Sequence, residues 1–69
     1  MKILGISAFY HDSASAIVID EKITAVQEER FSSKKYDTRF PINAIKYVLE
    51  ENKIKLSKID YIVFLKNLF

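Results

Sequence analysis

Lys2-Ile3-Leu4-Gly5-Ile6-Ser7, followed after a polar interval by Ala14-Ser15-Ala16-Ile17-Val18-Ile19, decides the fold. Both runs are short and apolar, with isoleucine and valine prominent, as buried strands are. Ala8-Phe9-Tyr10-His11-Asp12-Ser13 lies between them and reads as a loop. Asp20-Glu21 reads as a tight turn into a third strand, Lys22 to Glu28. Two-residue hairpin turns favour Asn-Gly or Asp-Gly, because the second position often takes φ > 0. Glu21 is a poor residue there, since a left-handed non-glycine residue costs roughly 1–2 kcal/mol. A slightly longer turn relieves that cost.

Working outward, Glu29 to Phe40 is charged and irregular. Pro41 sits where helices accept proline, in the first turn. Ile42, Ile45, Val48 and Leu49 recur at helical spacing and form one apolar face. Asn52 is placed to end that helix in the left-handed conformation. Ser57 to Asp60 reads as a connection, and Tyr61-Ile62-Val63-Phe64-Leu65 as a fourth strand. The order is strand, strand, strand, helix, strand, an α/β pattern. Strands one to three can form an antiparallel meander. A right-handed crossover through the helix brings strand four parallel to strand one. One helix covers only one face of such a sheet, whereas a strand as apolar as Ile3 to Ile6 favours burial on both. The layout therefore describes a single partial domain over residues 1–69, with material missing. No internal repeat, linker or low-complexity segment interrupts it.

Composition narrows the function classes. The chain has 69 residues, 49% hydrophobic and 29% charged, which is globular rather than disordered. So short a domain buries only roughly 60% of its unfolded surface and is marginally stable. The net charge of +2 is too small to argue for nucleic acid or membrane. Without cysteine there is neither a disulfide nor a thiolate metal site. His11 is the single histidine, which excludes a multi-histidine metal centre within the chain. No apolar run approaches the ~20 residues that span a bilayer, and the N-terminal run lacks the features of a signal peptide. The chain reads as soluble and cytoplasmic.

Two blocks carry a family resemblance. One is Ile3-Leu4-Gly5-Ile6-Ser7 through His11-Asp12-Ser13-Ala14. The other is Gln27-Glu28-Glu29-Arg30-Phe31 with Lys34-Lys35, Asp37 and Phe40-Pro41. Together, with their spacing, they resemble the opening of NodU-type O-carbamoyltransferases. The likeness runs to about Val63, and Leu65 to Phe69 do not share it. That ending resembles a truncated or frame-shifted copy, or an excised fragment. The resemblance implies the β-β-β-α-β start of an actin-like (ribonuclease-H-like) ATPase domain. It implies transfer of a carbamoyl group from carbamoyl-adenylate, made from carbamoyl phosphate and ATP, to a substrate hydroxyl. It also implies a divalent metal, whose ligands are absent from this chain. One departure is Glu21, where the family usually has glycine after the aspartate.

On this resemblance the loop Tyr10-His11-Asp12-Ser13 faces nucleotide phosphates. Asp12 and Ser13 are then cofactor-binding, with Ser13 and the loop amides donating to phosphate oxygens. His11, near neutral pKa, can deprotonate an acceptor hydroxyl, and cations or amides can stabilise an oxyanion. Lys35 is singled out as a second catalytic residue, a point charge for the adenylate phosphate or the carbamoyl oxygen. By spacing alone the same residues read as a polar turn and a solvated basic loop. Glu28 and Glu29 are adjacent on a strand and point to opposite faces. They are expected to pair with Arg30 or a lysine rather than form a catalytic couple. Phe31, Tyr36 and Phe40 beside basic residues resemble a nucleic-acid stacking surface, which the small net charge disfavours. The other function class is a non-catalytic remnant or small interaction module. Alone, the chain is expected to be inactive and to fold poorly or associate with itself, because Ile3–Ile6, Ile17–Ile19 and Ile62–Leu65 leave a sheet face in water.

Overall fold

The computed structural model of the chain describes residues 1–8, 13–33 and 38–64. Strands β1 (Lys2–Ser7), β2 (Ala14–Ile19) and β3 (Lys22–Gln27) are followed by a one-turn helix, α1 (Glu29–Ser32). Then come α2 (Ile42–Glu51), a 3₁₀ turn over Leu56–Lys58 and β4 (Tyr61–Phe64). The expected α/β order is present, with α1 added inside the stretch read as irregular. The sheet order is β3-β2-β1-β4, with β1 to β3 antiparallel and β4 parallel to β1.

Period-2 alternation places Leu4, Ile6, Ile17 and Val26 on one sheet face. They meet Ala44, Ile45 and Val48 of α2 and form the core. Ser15 shares that face fully buried, its hydroxyl satisfied by the Gly5 carbonyl at 3.0 Å. The helix face differs from expectation at two positions. Ala44 is fully buried because α2 approaches the sheet there, whereas Ile42, the first residue of the helix, is half exposed. Helix α2 packs over β2 and β3, so its cover ends before β4.

The turns keep one expectation and correct two. Register pairs Ile19 with Lys22, so Asp20-Glu21 is the tight two-residue turn expected. Its positive φ falls on Asp20 (55°), not on Glu21; aspartate tolerates the left-handed region better than most residues. At the end of α2, Asn52 keeps φ −98° and Lys53 is left-handed at 52°. The Lys53 N–H donates to Glu50 O and the Ile54 N–H to Leu49 O, both at 3.0 Å, which is a Schellman closure. Asn52 stays near helical geometry because its Nδ2 donates to the Val48 carbonyl at 2.8 Å and to Thr24 Oγ1 at 3.2 Å. Asp60, read only as part of a connection, sets the β4 register: its N–H donates to Lys2 O at 2.8 Å and its Oδ2 accepts from Lys2 N–H at 2.7 Å.

Burial is also distributed differently from expectation. Leu4 and Ile17 are almost wholly covered on the face under α2; on the opposite face of β1 and β2, Gly5 and Ala16 are buried and Ile3 and Val18 half-buried. All four β4 residues are exposed, Phe64 by 69%. The expected strand residue Leu65 lies outside the described residues. Among the described residues no helix is long and apolar enough to cross a membrane.

Two substitutions test this packing by urea denaturation. Ile17→Ala lowers the unfolding free energy by about 2–5 kcal/mol, through lost transfer energy and the cavity it leaves. Lys53→Gly raises it by roughly 0.5–1 kcal/mol, because glycine takes the left-handed position without a Cβ clash.

Candidate functional site

Of the four residues singled out as a site, Ser13 alone lies among the described residues; His11, Asp12 and Lys35 lie outside them, as do Lys34, Tyr36 and Asp37. Ser13 immediately precedes β2 and is fully buried. Its hydroxyl donates to the carbonyl of Arg39. Its own carbonyl accepts the Glu28 N–H at 2.8 Å.

Glu28 is the residue that the sequence reading underrated. It follows β3, is 3% exposed, and turns its carboxylate onto the start of α2. Oε1 accepts the Ala44 N–H at 2.8 Å and Oε2 accepts Asn43 Nδ2 at 2.7 Å. Its carbonyl receives the N–H groups of Phe31 (2.9 Å) and Ser32 (3.1 Å), which starts α1. The expected partners, Arg30 or a lysine, are not the groups it meets among the described residues. The physical cause lies at Pro41. Proline is the N-cap residue of α2 and has no side chain that can accept a hydrogen bond. An orphan N–H in the first turn must then find an acceptor elsewhere, and a carboxylate at the positive end of the helix dipole serves best. A helix start without Ser, Thr, Asp or Asn at the N-cap was the signal in the sequence for such a partner.

The buried residues Ser13 and Glu28 and the main chain of the exposed Arg39 therefore form one junction. The interval 9–12, which holds His11 and Asp12, ends at Ser13. The interval 34–37, which holds Lys35, runs from Ser33 to Thr38, next to Arg39. Phe31 docks the same region onto α2, its ring centroid 5.6 Å from that of Tyr47 at 47°. Phe31 keeps 39% of its surface exposed beside this contact, Phe40 lines the apolar groove described below, and Tyr36 lies outside the described residues.

The described residues were tested against the implied ligands. They contain no group of three or more His, Cys, Asp or Glu that could hold a metal. The N-terminus of α2, otherwise an anion site, is already occupied by the Glu28 carboxylate.

Comparison with known proteins agrees with this architecture. The family model described as "Carbamoyltransferase N-terminus" matches residues 2–67. The chain belongs to this family. The match extends past the expected limit near Val63 and takes in most of the terminal residues that looked unfamiliar. An uncharacterised protein of Synechocystis sp. is 60% identical over 63 residues, covering 90% of this chain and 10% of the relative. An uncharacterised protein of Methanocaldococcus jannaschii is 42% identical over 60 residues, covering 87% of this chain and 11% of the relative. Nodulation protein NolNO of Sinorhizobium fredii is 39% identical over 59 residues, covering 84% of this chain and 9% of the relative. The chain thus spans about a tenth of the length of the curated relatives it matches.

Substitution at Glu28 tests the junction. Glu28→Ala removes both acceptors, leaves Ala44 N–H buried without one, and costs about 2–4 kcal/mol. Glu28→Gln keeps an oxygen for Ala44 while Asn43 can turn its amide to match, so the loss is smaller, about 1 kcal/mol. Amide hydrogen exchange at Ala44 reads the difference: fast in the alanine variant and protected in the glutamine variant. Equal protection in both would remove Glu28 as the cap.

Proposed function

We propose that this chain supplies one wall of the transfer site of an O-carbamoyltransferase. The whole enzyme moves a carbamoyl group from carbamoyl-adenylate, made from carbamoyl phosphate and ATP, to a substrate hydroxyl. Family membership supports the reaction class. The observation that carries the residue assignment is the hydrogen-bonded junction, because Ser13 directly follows the interval that holds His11 and Arg39 lies just after the interval that holds Lys35. It lies beyond the carboxyl end of β1, one of the two parallel strands. Open α/β sheets take their ligands in the crevice outside the carboxyl ends of such strands.

In this reading the substrate hydroxyl oxygen attacks the carbamoyl carbon. The bond from that carbon to the adenylate phosphate oxygen breaks, AMP leaves, and the hydroxyl proton passes to the His11 imidazole. The Lys35 ammonium offsets negative charge on the phosphate or the carbamoyl oxygen. Asp12 and Ser13 form the cofactor side. Ser13 contributes through the main chain it holds at Arg39, since its hydroxyl is engaged there.

The assay uses a full-length relative shown to release AMP in the presence of ATP, carbamoyl phosphate and a hydroxyl acceptor. Residues 2–64 of this chain replace its matched segment. His11→Ala is expected to lower turnover by about 10²-fold or more, the usual worth of a positioned general base. Lys35→Ala lowers kcat/KM, and Lys35→Arg restores part of it. Unchanged kinetics in both alanine variants would sink the assignment. The 69-residue chain alone is expected to turn over neither ATP nor carbamoyl phosphate, because a ligand held on one side is not oriented, and orientation supplies roughly 7–11 kcal/mol of a barrier.

A further inference from the structure

The groove beside β4, about 290 Å³ and lined by Phe40, Ile42, Leu56, Ile62 and Phe64 among other apolar residues, offers a charged nucleotide no hydrogen-bond partner. The buried polar side chains among the described residues are those of Ser7, Ser13, Ser15 and Glu28. Of these, Glu28 ties together three segments, and its bonds fall into two classes. Its N–H donates to Ser13 O at 2.8 Å, and its carbonyl accepts from Phe31 and Ser32. These are main-chain bonds, and a change of side chain leaves them in place. They fix Ser13, where the interval 9–12 ends, and α1, from which the chain enters the interval 34–37. The carboxylate bonds, from the Ala44 N–H at 2.8 Å and Asn43 Nδ2 at 2.7 Å, belong to the side chain alone. They fix the start of α2, shortly after Arg39.

The link from Ala44 back to Arg39 is stiff. The Ile42 N–H donates to Phe40 O at 2.9 Å and the Ile45 N–H to Pro41 O at 3.0 Å. The ring of Pro41 leaves its φ little range. A shift at the start of α2 is therefore passed to Arg39 rather than absorbed. Capping explains only part of the arrangement, since one carboxylate oxygen satisfies the Ala44 N–H. Asn43 is exposed, and water would serve its amide as well. The second bond instead holds the carboxylate plane in one orientation, as groups that support a reactive site require. With both oxygens engaged and 3% of the residue exposed, Glu28 is not placed to touch substrate.

We infer that Glu28 is a positioning residue for carbamoyl transfer: its carboxylate, through the first turn of α2, sets where the segment that carries Lys35 rejoins the fold. The inference rests on the transfer reading above. It assigns a kinetic consequence to a side chain that does no chemistry.

Double-mutant cycles in the full-length chimera of the transfer assay test it. Glu28→Ala is expected to lower kcat/KM by about 10²-fold, which is what a misplacement of about 1 Å can cost. Glu28→Gln, which keeps an oxygen for the Ala44 N–H, recovers most of that loss. Glu28→Ala with Lys35→Ala falls no further than the worse of the two single variants, because Lys35 is already misplaced. With His11→Ala the factors multiply, because the bond between the Glu28 N–H and Ser13 O is kept. Ile17→Ala is the control for lost stability: it lowers only the folded fraction, so its factor multiplies with that of Lys35→Ala. If Glu28→Ala does not fold, Asn43→Ala at its exposed position decides, and it too must couple to Lys35→Ala. Factors that multiply in the cycle with Lys35 overturn the inference and leave the transfer reading intact. Unchanged kinetics in Lys35→Ala remove that residue from the transfer reading, and this inference with it.

Discussion

Glu28 is 3% exposed and its carboxylate is satisfied by two donors, Asn43 Nδ2 and the Ala44 N–H. Burying an ionised group without partners is prohibitive, and an uncapped buried helix end is costly too. Each problem cancels the other at this point. The consequence is positional. Helix α2 can begin only where Pro41 ends the preceding segment and Glu28 can reach residue 44. That fixes Ala44, Ile45 and Val48 over Leu4, Ile17 and Val26. The fixed helix then returns the chain so that Asp60 can join Lys2 and start β4 in register. The sheet's fourth strand thus depends on a contact made at the end of its third.

The strands were legible because apolar runs separated by polar residues leave little choice, and β1 and β2 begin and end where the sequence places them. The third strand stops one residue short of expectation because Glu28 leaves the ladder to cap α2. What was not legible lay in contacts between residues far apart in sequence. The Glu28 bonds to Asn43 and Ala44 span 15 and 16 residues, and no local pattern shows them. The helix end was misplaced by one residue for a related reason. Asparagine favours the left-handed position, but Asn52 is drawn back by its bonds to Val48 and Thr24, and Lys53 takes the strain instead. Of the candidate site, sequence spacing alone could not separate a catalytic loop from a polar turn. The family resemblance is what favours the catalytic reading, and the comparison with known proteins supports the family to which it pointed.

The site and the groove divide the molecule by chemistry. At the Ser13–Glu28–Arg39 junction Ser13 and Glu28 are buried and every named contact is a hydrogen bond, as suits a support for reactive groups. The groove is apolar throughout and open. Transfer of a charged adenylate requires the first kind of surroundings and cannot use the second.

This division also explains why the core alone is lean. Helix α2 covers β2 and β3, and a 69-residue chain has no other long helix among its described residues to cover β1 and β4. Leu4 and Ile6 are shielded by the near side of the groove, while Ile62 and Phe64 on its far side remain half exposed or more. Roughly 25 cal/mol is gained per Å² of apolar surface removed from water. Among the described residues, the apolar surface left in water is therefore concentrated where β4 and the groove meet.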